Sequence, residues 1–496
     1  MITVRTSVKS HLKRCAIALF LHAIIFSSTA SAQLVLTLDD ALETAYATSP
    51  TIRQSALSLE RSQESLNAQN AALKSNFSFS VTPFGFRRNR EFSALYSSWS
   101  TTENKDVSGT FRITQPLKWS DGTLSLINKL GWQDSFSDFQ KVRTNKGFNN
   151  NLSLIYNQPL FSYNRTKLNL EELELDLENS SINFSIQKLA LERNVTQSFF
   201  KVYELQMGLQ IEEEEHRNQQ KSYEIIKNKV EAGLSAKEEL FQAELNLANS
   251  KSNFHRQQVQ LENAKDAFKQ LIGLSIFEEI TTVADVSHQP VTVSLQKALE
   301  AGLAARLELR QRQIQIENAQ FNLTRSSATN EFKGNLSLTV GIFGEDAKLP
   351  SVYETPTNNQ DVAISFEIPL WDWGEKKSRI RASEAVLKSS EIAHEEERTS
   401  IIIAIRSAHR SLNNLINQIE LARQSEKNAQ LTYDINLERY ANGDLTSMDL
   451  NLFQTQLSER KMGLVSALID YRLELLNMKI QSLWDFEKDK AVLIQQ

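Results

Sequence analysis

Apolar residues recur every seven positions over much of this chain. Leu168, Leu175, Ile182 and Leu189 form one row, and Leu170, Leu177, Phe184 and Leu191 form a second on another face. Further on, Val195, Val202, Leu209, His216, Tyr223 and Val230 keep the same spacing. A single seven-residue row predicts a coiled coil with one partner. Two rows predict a neighbour on each side, as in a wall of helices. At 1.5 Å per residue, residues 163–230 would run about 100 Å as one helix. No globular core holds such a helix, and it is too polar to be buried all round. The pattern predicts a second long helix over 374–440, and shorter ones over 38–75, 236–272, 295–330 and 446–484.

Elsewhere the period is two. FSFSV (77–81) alternates Phe77, Phe79 and Val81 with Ser78 and Ser80. LSLTVGI (336–342) and VAISFEI (362–368) alternate in the same way, and LSLIY (152–156) nearly so. Each has one apolar face and one face of small polar residues. That pattern fits a sandwich strand, or a membrane-barrel strand with one face to lipid and one to the lumen.

The elements occur twice. LDDALETAYATSPTIRQ (38–54) matches LQKALEAGLAARLELRQ (295–311) at an offset of 257, and NQPLFSYNR (157–165) matches EIPLWDWGE (367–375) at an offset of 210. At that second offset Leu177 meets Leu387, Ile182 meets Ile392, Tyr223 meets Tyr433 and Gly233 meets Gly443. Two unrelated helices would not keep Pro, Tyr and Gly in step, so the chain is a tandem duplication. The first repeat is taken as 33–290 and the second as 291–486, followed by a tail over 487–496. The offsets differ by 47 residues, which lie in the first repeat between its first helix and its Pro-Leu-Phe.

Composition narrows the setting. Arg5, Lys9, Lys13 and Arg14 precede the apolar run CAIALFLHAIIF (15–26), and Ala30-Ser31-Ala32 gives a small-x-small cleavage site. Residues 1–32 are therefore expected to be a secretory signal peptide, with Gln33 as the mature start. The apolar run is too short to span a bilayer as a helix, which takes about 20 residues. The only cysteine, Cys15, lies in this segment. The mature chain then has no thiol chemistry, no disulfide and no lipidated first residue. Net charge is −5 for the whole chain; without the four signal bases, 51 bases stand against 60 acids, giving −9. That balance argues against nucleic acid as a partner. No later stretch is long and apolar enough for a membrane helix, so any span of an exported chain must be made of strands. Gly (15) and Pro (8) fall well below the numbers that average usage would give, about 35 and 25. Few breakers mean long uninterrupted helices.

Where breakers do occur, they are informative. KVEAGLSAKEEL (229–240) and RYANGDLTSMDL (439–450) interrupt the long helices in the same way, with a base four residues before the Gly and an acid six residues after it. Each is read as the turn of a helical hairpin, with Gly supplying the left-handed conformation. The return helix 236–272 covers about half of the way back, and helix 38–75 stacked end to end on it would supply the rest. Each repeat is then a strand pair above a very long helical hairpin, with the Gly turns farthest from the membrane. Four strands cannot close a membrane barrel, which starts at about eight. Copies of the chain must therefore share a ring.

The signal peptide, the duplicated helix–strand–strand–helix order, the QPLF and IPLW junctions and the two Gly turns resemble the TolC family of outer-membrane factors. The resemblance covers nearly the whole mature chain and rests on order and spacing rather than on any single motif. It implies a mainly α-helical protein with membrane β-structure: a homotrimer whose β-barrel, shared by all three chains, continues as an α-helical tunnel through the periplasm, with four strands per chain, or six if the extra residues add two. It also implies contact with outer-membrane lipid, and docking of the tunnel tip to a periplasmic adaptor protein that links it to an inner-membrane pump, in a tripartite efflux or type I secretion system. Lys229, Gly233, Leu234 and Glu239 carry the tip motif in the first repeat, and Tyr440, Gly443, Asp444 and Asp449 in the second. Asp449 would line the pore constriction. Family members often place a second carboxylate one turn later, where this chain has Leu452.

Other candidate chemistry is thin. EEEEH (212–216) reads as a solvated helix face, and HEEE (394–397) lacks the second His of a zinc helix. His216, His255, His288, His394 and His409 show no ligand spacing, and no nucleophile elbow or phosphate loop is visible. The expectation is a non-enzyme with no cofactor and no metal. The alternative is an exported coiled-coil stalk or adhesin. The 47 extra residues contain VSGTFRITQPLKW (107–119), the turn Ser120-Asp121-Gly122 and TLSLINKLGW (123–132). They are read as an added β-hairpin, either widening the barrel to six strands per chain or folding over its mouth or junction. The competing reading is a long polar loop, given the charged and Asn-rich flanks 87–106 and 138–151.

Overall fold

The computed structural model describes residues 34–94, 97–138, 142–286 and 290–492; the expected signal segment 1–32 and His288 lie outside them. Strand β1 (Leu34–Leu36) leads into helices α1 (Leu38–Thr48) and α2 (Pro50–Ala72). Four strands follow: β2 (Asn76–Ser93), β3 (Ser98–Leu117), β4 (Gly122–Ser137) and β5 (Val142–Leu160). The first helical hairpin is α3 (Arg165–Glu231) and α4 (Lys237–Ile272), followed by β6 (Ile280–Thr282). The second repeat gives α5 (Leu295–Ala305), α6 (Leu307–Ser327), β7 (Lys333–Asp346), β8 (Thr357–Glu367), α7 (Glu375–Asn442) and α8 (Ser447–Ser482). A short hairpin, β9 (Trp484–Asp485) with β10 (Lys490–Ala491), ends the described chain.

The 67-residue α3 is the long rod that the seven-residue rows predict, and the 68-residue α7 is its counterpart in the second repeat. The helices expected over 38–75 and 295–330 are each broken instead, at Ser49 and at Arg306, where ψ swings to 129° and 122°. Ser49 precedes Pro50, whose ring excludes helical geometry from the residue before it. Arg306 has no proline after it. Its guanidinium holds Glu308 through two 2.8 Å bonds and donates to the Gln481 side chain at 2.8 Å, which fixes the bend against α8. The two breaks stand 257 residues apart, so the duplication preserves the bend by different chemistry. The stacking itself is present: Thr48 Oγ1, at the end of α1, donates 2.6 Å to the carbonyl of Ile272, which ends α4.

All the long strands lie in one antiparallel sheet, in the order β2-β3-β4-β5-β7-β8. The 47 extra residues thus form the β3–β4 hairpin inside the sheet, and the polar-loop reading of 87–106 and 138–151 is overturned, since strands fill most of both flanks. Alternation could not reveal these extensions because polar and charged residues interrupt it, with only isolated apolar pairs such as Phe92 opposite Trp99. Cross-strand pairs such as Arg88 opposite Glu103, 3.4 Å apart, hold them together.

The helical core is built where three layers meet. Phe199, Phe200 and Phe268 pack edge-to-face, with ring centroids 5.6 Å and 6.1 Å apart, among Ala41, Ala45, Val195 and Ile272. Along the rods the seams are partly polar. Glu214 accepts two 2.9 Å bonds from Lys461, Glu192 pairs with Lys479 at 2.9 Å, and Arg310 grips Glu178 at 2.6 Å and 2.7 Å. The EEEEH segment is accordingly not a simple solvated face. Only Glu213 is exposed, and burial raises the Glu212 carboxyl above its ordinary range. Among the described residues no helix is long and apolar enough to cross a membrane.

Phe268 is fully buried against Phe199. Phe268→Ala should cost about 3–5 kcal/mol through lost burial and an unfilled cavity. The expected result is a clear fall in the thermal midpoint of the detergent-solubilised protein. Phe277→Ala, at a largely exposed site, should leave the midpoint in place.

Candidate functional site at the twin hairpin turns

The last turn of α3 closes by two crossing hydrogen bonds. Gly233 N–H donates to the Val230 carbonyl at 3.0 Å, and Leu234 N–H reaches back to Lys229 at 2.8 Å. At the end of α7, Gly443 N–H donates to Tyr440 at 3.1 Å and Asp444 N–H to Arg439 at 2.9 Å. This is the Schellman arrangement, formed twice at equivalent positions. It requires a left-handed residue, and φ is +75° at Gly233 and +94° at Gly443. A Cβ built on Gly233 would touch nothing, so backbone conformation rather than crowding demands glycine there. The base of each motif sits at a helix C-terminus, where the helix dipole favours positive charge.

The acids of the two motifs are used differently. Asp449 opens α8: its N–H donates 3.2 Å to Thr446 Oγ1, and its carboxylate accepts from that hydroxyl at 2.7 Å. Glu239 holds the equivalent place in α4, but the capping position there is Ala236, which has no hydroxyl to share. Asp449 is exposed, as are Leu234, Met448 and Leu452, and Glu239 is half-buried, so the tip offers water a mixed apolar and acidic surface.

Behind the turns the two repeats are joined. Lys229 Nζ donates 2.6 Å to the Tyr440 carbonyl and lies 5.3 Å over the Tyr440 ring. Tyr440 is 1% exposed, and its hydroxyl donates 3.2 Å to the Ser222 carbonyl. It packs with Ile226, Ala243, Tyr433, Leu450 and Leu457. Burial pushes the Tyr440 phenol up to about 12; the charge of Glu239 adds to the shift, and a hydrogen bond with Ser447 opposes it. Further up the same seam, Gln219 donates 2.6 Å to Asn451 and Asn218 donates 3.1 Å to Gln454.

Of the residues predicted from sequence, Lys229, Tyr440 and Gly443 come together, and Gly233, Leu234 and Asp444 form the turns themselves. Asp449 and Glu239 each begin a return helix. The sequence reading missed Gln219, Asn218, Asn451, Gln454 and Ser222. Their one signal was polarity at positions facing a helical neighbour, which spacing alone does not separate from solvent exposure. Among the described residues no group of His, Cys, Asp and Glu could hold a metal ion.

A sheet with one lipid-type face, continued by helical hairpins with paired tips, defines an outer-membrane channel protein. A family model described as outer membrane efflux protein matches residues 41–274 and 335–477, well over half of the sequence. The chain belongs to that family. It resides in the outer membrane and extends into the periplasm. It is similar to the cation efflux system protein CusC of Escherichia coli (strain K12), 25% identical over 266 residues, which is 53% of this chain and 57% of that protein. The match therefore spans little more than half the length of that relative. The outer membrane protein TolC of the same strain is 22% identical over 381 residues, 73% of this chain and 76% of TolC. Among solved structures, the Campylobacter jejuni CmeC outer membrane channel superposes with a TM-score of 0.68 at 14% identity, covering 92% of this chain and 86% of that one.

Two outcomes follow from the Lys229–Tyr440 contact. Lys229→Met removes the hydrogen bond and the cation over the ring, worth about 1–2 kcal/mol together. Amide exchange across 226–234 and 436–444 should accelerate roughly tenfold, with the α3–α4 core near Phe268 unchanged. The second concerns alkali. A phenol whose folded value lies above its unfolded value of 10.0 contributes stability that is complete below that value and lost as pH rises toward about 12. The wild type should therefore show a late fraction of tyrosinate absorbance, and Tyr440→Phe should reduce that fraction.

Proposed function

We propose that three copies of this chain close a shared β-barrel and form one helical tunnel, exporting drugs, small molecules or secreted protein from a tripartite efflux or type I secretion system. The observation that carries this reading is the pair of open sheet edges. Among the described residues of one chain, β2 and β8 each pair on one side only. In lipid an unpaired strand edge costs several kcal/mol per backbone group, so the edges must be closed by another copy. An exported stalk or adhesin would have no use for exposed Phe77, Phe79, Val362 and Ile364 on a sheet.

The tip is the docking end for a periplasmic adaptor, which connects the tunnel to an inner-membrane pump. Lys229, Gly233, Leu234 and Glu239 present the first turn, and Tyr440, Gly443 and Asp444 the second. Support comes from the exposed Leu234 beside a rigid turn whose shape needs no partner to hold it. Asp449 lines the constriction once per chain. Three carboxylates brought together by symmetry make a field that draws cations.

Crosslinking in cells tests the assembly. Gly233→Val and Gly443→Val should reduce adaptor crosslinking and export while the barrel stays inserted, because a β-branched residue resists positive φ. Normal crosslinking and export in both variants would remove the turns from the docking site. For the constriction, Asp449→Asn should shift the reversal potential of reconstituted channels toward lower cation preference. An unchanged potential would place the selectivity elsewhere.

A further inference from the structure

The inserted hairpin β3–β4 has the same two faces as the strands on either side of it. Following the register across the sheet, Phe77 stands opposite Ile113, Ile113 opposite Leu126, Leu126 opposite Leu154, and Leu154 opposite Val340. This apolar row crosses five strands from both repeats without interruption, and its middle members belong to the insertion. Apart from the half-buried Ile113, every member is exposed, from 36% at Leu126 to 66% at Phe77. On the opposite face the adjacent row runs Ser78, Arg112, Ile127, Ser153, and a row three positions along runs Ser80, Thr110, Lys129, Asn151. A hairpin folded over the mouth would meet water on both faces and would have no reason to keep such a row.

Two further observations place the insertion at the same height as its neighbours. On the apolar side, Lys105, Asp134 and Lys146 stand opposite one another on β3, β4 and β5. That charged row lies eight residues above Ile113 along β3, about 26 Å at 3.3 Å per residue before tilt. With the strands tilted by about 40°, that length closes an apolar band about 20 Å tall, close to the ~25 Å band of outer-membrane barrels. At the lower end the turn of the insertion is fastened to the helical domain. Asn164 donates 2.7 Å to the Lys118 carbonyl, and the N–H of Thr166, in the first turn of α3, donates 3.0 Å to Asp121. Trp119 is exposed at this level, as are Phe161 and Trp371 at the other strand ends, which matches an interfacial aromatic belt.

We propose that β3 and β4 are transmembrane wall strands, so that each chain contributes six strands to the barrel. The count of eighteen rests on the trimer reading above: three chains at six strands each. Barrel diameter grows nearly linearly with strand number, so this wall is about half again as wide as one built from four strands per chain, and walls of about 16–18 strands leave an aqueous channel. The membrane end of the conduit is then a wide exit, and size selection falls to the tip.

The mature chain has no cysteine of its own, since Cys15 lies in the signal segment. Single-cysteine variants of the full chain, purified as the assembled protein and reconstituted in lipid vesicles, therefore report one position each. Phe111→Cys and Leu126→Cys sample the apolar face of the insertion, Thr110→Cys and Ser125→Cys the polar face, and Val340→Cys sets the benchmark on a shared strand. A thiol in hydrocarbon is held protonated, so the apolar-face variants should react with a charged maleimide about tenfold or more slowly than the polar-face ones. A fluorophore attached at those same sites should be quenched by lipids with brominated acyl chains, as at Val340→Cys. If Phe111→Cys and Leu126→Cys label as fast as Thr110→Cys and escape quenching while Val340→Cys is quenched, the hairpin lies in water and the proposal falls. The mass of the crosslinked assembly is read separately. Three chains give eighteen strands; any other number overturns the trimer and the count, while quenching at the insertion still assigns six strands to each chain.

Discussion

Hydrocarbon offers no partner to a backbone N–H or C=O, and the whole molecule is arranged around that constraint. The sheet satisfies its inner strands within one chain, yet leaves the outer sides of β2 and β8 open. On the trimer reading proposed above, closure comes from another copy of the chain, and this sets how everything below the sheet is organised. Below the sheet the long rods and the shorter helices lie side by side. They therefore need neighbours on two faces, and their seams cannot be wholly apolar without making the separate chain insoluble. The mixture of buried Leu, Ile and Phe with pairs such as Lys461–Glu214 and Arg310–Glu178 suits that requirement. Charged pairs contribute modestly to stability when they are half exposed, but each is costly to mispair, so they fix which helix lies beside which.

The duplication carries the geometry from membrane to tip. Equivalent breaks at Ser49 and Arg306 bend the half-length helices at the same height, one by a following proline and the other by an arginine clamp. Equivalent glycine turns end the long helices at the same depth. The repeats differ where they meet each other. Lys229 of the first repeat reaches the Tyr440 carbonyl of the second, and a Val stands where symmetry would put a second Tyr. Asp449 is spent on a cap that Glu239 cannot make. The tip is thus a pseudo-symmetric pair with one asymmetric link, and that link lies between the exposed turns and the helical seams above them.

Much of this was legible in the chain. Seven-residue rows gave α3 to within a few residues, because a helix of that length repeats its packing many times, and the duplication gave α7. The period-two segments gave one strand face each. The matched offsets gave the duplication, and the two Gly motifs gave the turns, since few other residues accept φ near +75° to +94°. Less legible were the bend at Arg306, which no breaker marks, and the polar ends of β2 to β5, which have no alternation to detect.

The sequence by itself determined the kinds of element, their lengths, their order and their repetition, because these follow from local sterics and from one-dimensional spacing of apolar groups. Only the tertiary structure decided which elements touch. It put the 47-residue insertion inside the sheet, in register with Phe77 on one side and Leu154 on the other, and it brought Lys229 to a carbonyl 211 residues away. The physical reason is the same in both cases. A strand pairs, and an ammonium finds an acceptor, according to which groups stand a few ångströms away, and residues distant along the chain become neighbours only once the chain is packed.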